Sequence, residues 1–265
     1  MAKPKATAIS GARATISHPL ELIALPGLPE ICNGDALSRL ITQAARQAKL
    51  LFQSGDVVVI AQKIVSKAEG RITHLGEVAP SAEALQLGAK LKKDPRFVEV
   101  ILRESRRIVR RHPVLITETL HGFVCANAGV DHSNVPGEDV VTLLPRDPDS
   151  SARKIAAELR KSTRKNLAVI ISDTFGRPWR LGLTNVAIGA AGVPVLRDLR
   201  GIPDRTAKPL QATILAVADE LAAAAGLLMG KSEGIPVVVI RGYRYSPVLD
   251  PATRIIRPAS EDLFR

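Results

Sequence analysis

The sequence predicts an α+β protein from three observations. Some segments carry apolar residues at helical spacing, others run continuously apolar, and the two kinds alternate along the chain without an internal repeat. No Pro-, Gly- or Ser-rich linker cuts the chain, so one domain, open to division into two lobes, is the economical organisation. Of the 265 residues 46% are hydrophobic and 24% charged, which suits a protein with one or two buried cores and excludes disorder for most of the chain.

The elements follow in order. Asp35 is placed to cap a helix running to about residue 52, with Leu40, Ile41, Ala44 and Ala48 on one stripe, and Ser54-Gly55-Asp56 breaks it. A strand follows at 57–60. Helices fit 81–93 and 95–110, and 114–119 with 123–126 form a hairpin turned at His121-Gly122. Asp147-Pro148-Asp149-Ser150 opens a helix whose Ala152, Ile155, Ala156 and Leu159 share a face. LAVIIS (167–172) reads as a buried central strand ending at Asp173. Beyond it lie a Gly/Arg-rich loop (TFGRPWRLG), a short strand near 186–189, a polar stretch at 197–209, an all-round apolar helix over 210–229, and a strand at 237–241. The domain spans 18–250, preceded by a mobile basic leader at 1–17 and followed by a tail at 251–265.

Composition narrows the function classes. Asp219 and Glu220 split the longest apolar run, so a membrane span is excluded, and the leader lacks the apolar core of a secretory signal. Two cysteines, Cys32 and Cys125, are too few for a disulfide framework, and no Cys/His spacing suits zinc; a cytoplasmic, reduced protein follows. The net charge of +11 points to anionic partners. The window 90–111 holds nine bases against three acids. With Phe97, Val100, Ile101, Ile108 and Val109 as its apolar stripe, it reads as a solvated basic face on packed helix. A nucleic-acid surface is the competing reading, weakened by an aromatic content of only 3%, since single-strand binders stack bases on aromatics.

Four segments could carry chemistry. GLLMGKS (226–232) mimics a P-loop, but it has three residues between its glycines instead of four and follows a helix, so it is read as a helix C-cap. NAGVDHSN (127–134) offers Asp131 and Asn134 as hard oxygen donors after an apolar strand, or alternatively an Asx-type turn. SDTFGRPWR (172–180) puts Asp173 and Thr174 at a strand end with Arg177 and Arg180 beyond; a carboxylate tied to its own loop amides is the alternative. QKIVSKAEGR (62–71) sets Lys63, Lys67 and Arg71 among small residues, as a phosphate site or as solvated charge. Together they supply acids for a metal and cations for phosphate, the requirements of phosphoryl transfer.

The motifs LPGLPEI, GDVVVIAQKIVSKAEGR, VCANAGVDHSNV, ISDTFGRPWRLG with VAIGAAG, and ADELAAAAGLLMGKSEGIPVVVIRG occur in this order over about 25–242. In them the chain resembles the coenzyme F420-0:L-glutamate ligase (F420-0:gamma-glutamyl ligase) family. The resemblance implies a two-lobed mixed-sheet α+β homodimer without a P-loop. It would use GTP and Mg²⁺ or Mn²⁺, with K⁺ as an accessory cation, to attach L-glutamate to the lactyl carboxylate of F420-0.

Carried over by motif, the resemblance puts Leu28, Pro29, Glu30 and Ile31 beside the nucleotide, Gln62, Lys63 and Lys67 along it, and Asn134 close by. Asp131, Asp173 and Thr174 would hold the metals. The segment from Met229 through Gly230, Lys231, Ser232 and Glu233 to Ile235 would close over the nucleotide. Two departures stand out. Lys231 follows the Met-Gly pair where some relatives have an acid, leaving Glu233 as the substitute, and Gln62-Lys63 replaces small hydroxyl residues.

The chemistry implied is carboxylate activation through an acyl phosphate. A related ligase acting on a folate would carry the same motifs, and a pseudo-enzyme is disfavoured by the intact acids and lysines. The ligase reading expects Lys63, Lys67, Arg177 and Arg180 to converge on a cleft containing Asp131 and Asp173, with 90–111 outside it.

Overall fold

The structure, a computed structural model, describes residues 19–132, 137 and 139–262; the leader and Asn134 lie outside the described residues. The first half forms β1 (Glu21–Ala24), α1 (Leu37–Gln47), β2 (Val57–Ala61), α2 (Gln62–Ala68), β3 (Ile72–His74), α3 (Ala82–Leu91), α4 (Pro95–Arg103), β4 (Ser105–Arg110), β5 (Ile116–Thr119) and β6 (Val124–Ala126). The second forms β7 (Val140–Thr142), α5 (Pro148–Thr163), β8 (Ala168–Arg177), β9 (Arg180–Ala191), β10 (Arg197–Asp198), β11 (Ile214–Leu215), α6 (Val217–Met229) and β12 (Val237–Arg241). The expected α+β class is what this mixture of elements shows.

A five-stranded sheet in the order β1-β12-β2-β8-β9 is the scaffold of the site. Only β2 and β8 run parallel, Ala61 standing opposite Ser172; the other pairs are antiparallel. VVVIA and AVIIS are unbroken apolar runs because both faces of the sheet are covered. Val58, Ile60, Val169 and Ile171 pack against Ile41 and Ala44 of α1 and Ala152, Ile155 and Leu159 of α5. Val57, Val59, Ala168 and Ile170 face Ala218, Leu221, Ala222 and Ala225 of α6. A third core, with Leu87 of α3, Val98 and Ile101 of α4 and Leu115, sits beside the sheet β4-β5-β6. The chain after residue 250 returns to the scaffold, where the Ala252 amide donates to Asp149 Oδ1 at 2.8 Å.

Several boundaries differ from the sequence expectation, each for a local reason. Asp35 does not cap α1: its Oδ2 accepts from the Cys32 amide at 2.8 Å, closing the preceding turn, and Ala36 is the N-cap without a side-chain bond. The helix expected over 95–110 stops at Arg103, because Ser105–Arg110 pairs as a strand with β5. The basic window is therefore split between helix and strand, and Arg96, Arg103, Arg107 and Arg111 each pair with an acid, so it forms no single helical face. The helix expected from 210 begins only at Val217. Ile214 and Leu215 pair with β10, and Asp219 and Glu220 occupy the first turn, where negative charge suits the helix dipole.

The largest correction concerns TFGRPWRLG. β8 does not end at Asp173 but continues to Arg177, turns at Pro178-Trp179 and returns as β9, with bulges at Ile171/Ser172 and Gly176/Arg177. The segment is a hairpin, and no loop. The β5/β6 hairpin is as expected, with Gly122 at φ +97° in its turn. Gly230, at φ +56°, caps the C-terminus of α6, as the rejection of a P-loop requires.

Candidate functional site

The parallel pair β2/β8 delivers its chemistry at the edge where β2 ends. The chain passes from Ala61 directly into α2, so Gln62, Lys63 and Lys67 sit within one helical turn and a half of the sheet. They line a cavity of 670 Å³, a size suited to a nucleotide-scale ligand. Gln62 is buried, its Oε1 accepting from Ser66 Oγ at 2.8 Å. Lys67, only 6% exposed at its side chain, ion-pairs with Glu30 from the segment Leu28–Ile31 on the facing wall. Ile31 anchors that segment in the core, and the Gly34 amide donates to the Ala68 carbonyl at the end of α2.

Asp131 follows the short turn Asn127–Gly129 and is fixed by paired backbone bonds with Thr142. Its Oδ2 lies 2.8 Å from Lys63 Nζ. Asp173 and Thr174 enter from β8, in the stretch between its two bulges. Asp173 Oδ1 accepts from the Thr174 amide at 2.8 Å, so the turn-like bond to its own neighbour is present alongside the cavity position. Thr174 Oγ1 donates to Asn185 Oδ1 at 3.0 Å and accepts from Lys231 Nζ at 2.8 Å. Burial pushes the Asp173 carboxyl up to about 6. The Thr174 amide opposes this, the Asp131 charge adds to it, and Lys231 and Lys63 pull it back. Two carboxylates acting on each other in one field, with lysines nearby, make a site whose charge is balanced across four separate segments.

The remaining wall is Met229, Gly230, Lys231, Ser232, Gly234, Ile235 and Pro236. Glu233 is not part of that lining. Its carboxylate turns back to accept from the Lys231 and Ser232 amides at 2.7 and 2.9 Å, which folds the segment on itself. Arg177 and Arg180 do not line the cavity either, contrary to the expected convergence: Arg177 Nη2 donates to the Leu181 carbonyl within the hairpin turn. The β8/β9 hairpin places both at its turn, away from the cavity lining. Ser172, Leu183 and Asn185 line the site without having been singled out. Asn185 stands opposite Thr174 in the β8/β9 register, so the signal for it was the hairpin itself.

The donor set suits a hard divalent cation. Asp131, Asp173 and Thr174 offer two carboxylates and a hydroxyl, and Mg²⁺ is commonly held by one or two carboxylates with phosphate and water completing its shell. Among the described residues no cluster of three or more His, Cys, Asp and Glu forms an all-protein cage. The cavity thus gathers two carboxylates, a hydroxyl, lysines and apolar side chains at one sheet edge.

A family model described as F420-0:Gamma-glutamyl ligase matches residues 27–242. The chain belongs to the F420-0:gamma-glutamyl ligase family. It is 47% identical over 250 residues to the coenzyme F420:L-glutamate ligase of Methanothermobacter thermautotrophicus, covering 93% of this chain and 99% of that one. The corresponding ligase of Methanopyrus kandleri is 48% identical over 240 residues (88% and 92% covered), and that of Methanocaldococcus jannaschii 45% over 231 residues (86% and 90%). Every residue lining the cavity falls inside the F420-0:gamma-glutamyl ligase match.

Proposed function

We propose that this chain is a GTP-dependent ligase that attaches L-glutamate to the carboxylate of F420-0, with Mg²⁺ or Mn²⁺ and accessory K⁺. One observation carries the reading: in a chain of this family, Asp131, Asp173 and Thr174 meet Lys63, Lys67 and Lys231 in a single nucleotide-sized cavity. A divalent ion held by Asp131, Asp173 and Thr174 would neutralise the phosphates and polarise the transferred group.

The chain's own residues do the rest. Lys63 and Lys67, on adjacent turns of α2, supply positive charge where the transition state spreads negative charge over phosphoryl oxygens. Leu28 to Ile31 and the lining residues between Met229 and Pro236 would orient the base and limit water access. The acceptor carboxylate oxygen forms a bond to the γ-phosphorus as the bond to GDP breaks. The glutamate amine then forms the amide bond and phosphate leaves, with the ammonium proton released to solvent.

The proposal includes a two-lobed homodimer acting in the cytoplasm. Trp179, Leu181 and Leu183 on the β8/β9 hairpin are 87%, 99% and 64% exposed, an apolar arm that a second copy would cover. The third core, beside the separate sheet β4-β5-β6, supports a second lobe. Among the described residues no helix is long and apolar enough to cross a membrane.

The test is incubation with GTP, Mn²⁺, L-glutamate and either F420-0 or a folate, followed by product mass and phosphate release. A product one glutamyl unit heavier with F420-0 alone is expected. Glutamylation of the folate and not of F420-0 would replace the acceptor, and GTP-independent product would remove the mechanism.

A further inference from the structure

Two of the oxygens that suit a divalent cation, Asp131 Oδ2 and Thr174 Oγ1, are held by ammonium groups. Lys63 Nζ is 2.8 Å from Asp131 Oδ2, and Lys231 Nζ is 2.8 Å from Thr174 Oγ1, beside Asp173. The two lysines arrive from unconnected elements, the first turn of α2 and the segment after α6. The second is carried on an exposed loop braced by Glu233 through its own backbone amides. A divalent ion and an ammonium compete for the same lone pairs, so each lysine opposes metal entry unless it is offered another anion. Triphosphate is such an anion, and it brings the oxygen ligands that a two-carboxylate site lacks.

We propose that Lys63 and Lys231 are exchangeable counter-cations, which compete with the divalent metal for Asp131 and Thr174 beside Asp173 and pass to phosphate oxygens when a metal–nucleoside triphosphate enters. Metal and nucleotide then bind as a coupled pair, each raising the affinity of the other by the same factor. The inference rests on reading the cavity as a phosphate and metal site. It adds that the lysines gate the metal, over and above touching the nucleotide.

The experiment measures Mn²⁺ binding to the metal-stripped full chain from the free-ion EPR signal, with and without the β,γ-imido analogue of GTP. Three proteins are compared: wild type, Lys63→Met/Lys231→Met, and the charge-keeping Lys63→Arg/Lys231→Arg. The analogue is expected to tighten Mn²⁺ on the wild type by about 100-fold, within the range of strong site-to-site coupling. The Met pair is expected to bind Mn²⁺ about tenfold more tightly without nucleotide and to show a correspondingly smaller coupling, with the Arg pair resembling wild type. Thermal melts check that each variant is folded; should the Met pair unfold, Lys231→Met alone, on the exposed loop, carries the test. Unchanged nucleotide-free Mn²⁺ affinity in the Met variants, with the wild-type coupling intact, overturns the exchange alone. If the wild type gains no Mn²⁺ affinity from the analogue, the reading of the cavity falls and the exchange with it.

Discussion

Asp173→Asn should make the metal-free protein more stable while removing its activity. In the fold the carboxyl is raised from its ordinary 3.8 to about 6, first by burial and also by the charge of Asp131. Two units correspond to about 3 kcal/mol, an upper figure because the side chain keeps some contact with the cavity solvent. The sign follows from proton counting. Between pH 4 and 6 the folded chain holds this proton more tightly than the unfolded chain, so the cost of the charge is absent below about 3.8 and complete above about 6. Asparagine keeps the oxygen that accepts from the Thr174 amide and removes the charge. At pH 7 in EDTA the variant should therefore melt about 6 °C higher, given about 2 °C per kcal/mol for a chain of this length, and the gain should vanish near pH 4. Its turnover with GTP, Mn²⁺, glutamate and F420-0 should fall by about 100-fold or more, the scale for losing a major electrostatic contact in a phosphoryl-transfer site. Melting curves from pH 4 to 7 and product formation at saturating Mn²⁺ provide the two readouts. An unshifted melting temperature at pH 7 would refute the electrostatic account of Asp173, and near-normal turnover would refute its role at the metal.

Three further outcomes are expected. Lys67→Ala should raise the apparent KM for GTP and lower kcat together, since it removes charge felt in both ground and transition states; steady-state kinetics unchanged in both would reduce Lys67 to a partner of Glu30. Leu181→Asp should lower the molar mass measured by light scattering from that of the proposed dimer to a single chain without changing the melting of that chain, because its side chain is almost fully exposed; a dimer that survives would put the interface elsewhere. Gly189→Ala should cost about 3 kcal/mol by urea unfolding, because a Cβ there would stand 2.3 Å from the backbone oxygen of Pro148, where α5 crosses β9; a cost under about 0.5 kcal/mol would mean that α5 shifts freely.

What could be read from the sequence divides along local and non-local lines. VVVI and LAVIIS announced buried strands because two-sided burial erases alternation, and the Asp147-Pro148 start of α5 is written in adjacent residues. The segments gathered in the cavity were named from motifs, and the parallel β2/β8 pair helps bring 61–67 and 172–174 together with the other lining segments: β2 ends at Ala61 opposite Ser172, while β8 runs on past it beside β9. The misreadings arose where pairing overrides local signal. Gly176, Pro178 and Gly182 look like loop punctuation, yet Pro178 lies in the tight turn while β8 and β9 absorb the two glycines through a bulge, and this hides Asn185, whose place is set by its register with Thr174. Ser105–Arg110 and Ile214–Leu215 look like parts of helical runs, but their hydrogen bonds go to the neighbouring strands β5 and β10, a pairing that helical periodicity does not register. No sequence pattern could show that Glu233 turns inward on its own loop, because that depends on the left-handed Gly230 and on two amides it exposes. The carboxylate is thereby spent on bracing the segment, so the group this loop presents to the acids is the Lys231 ammonium, and the site's charge is set by a backbone turn as much as by its ionisable side chains.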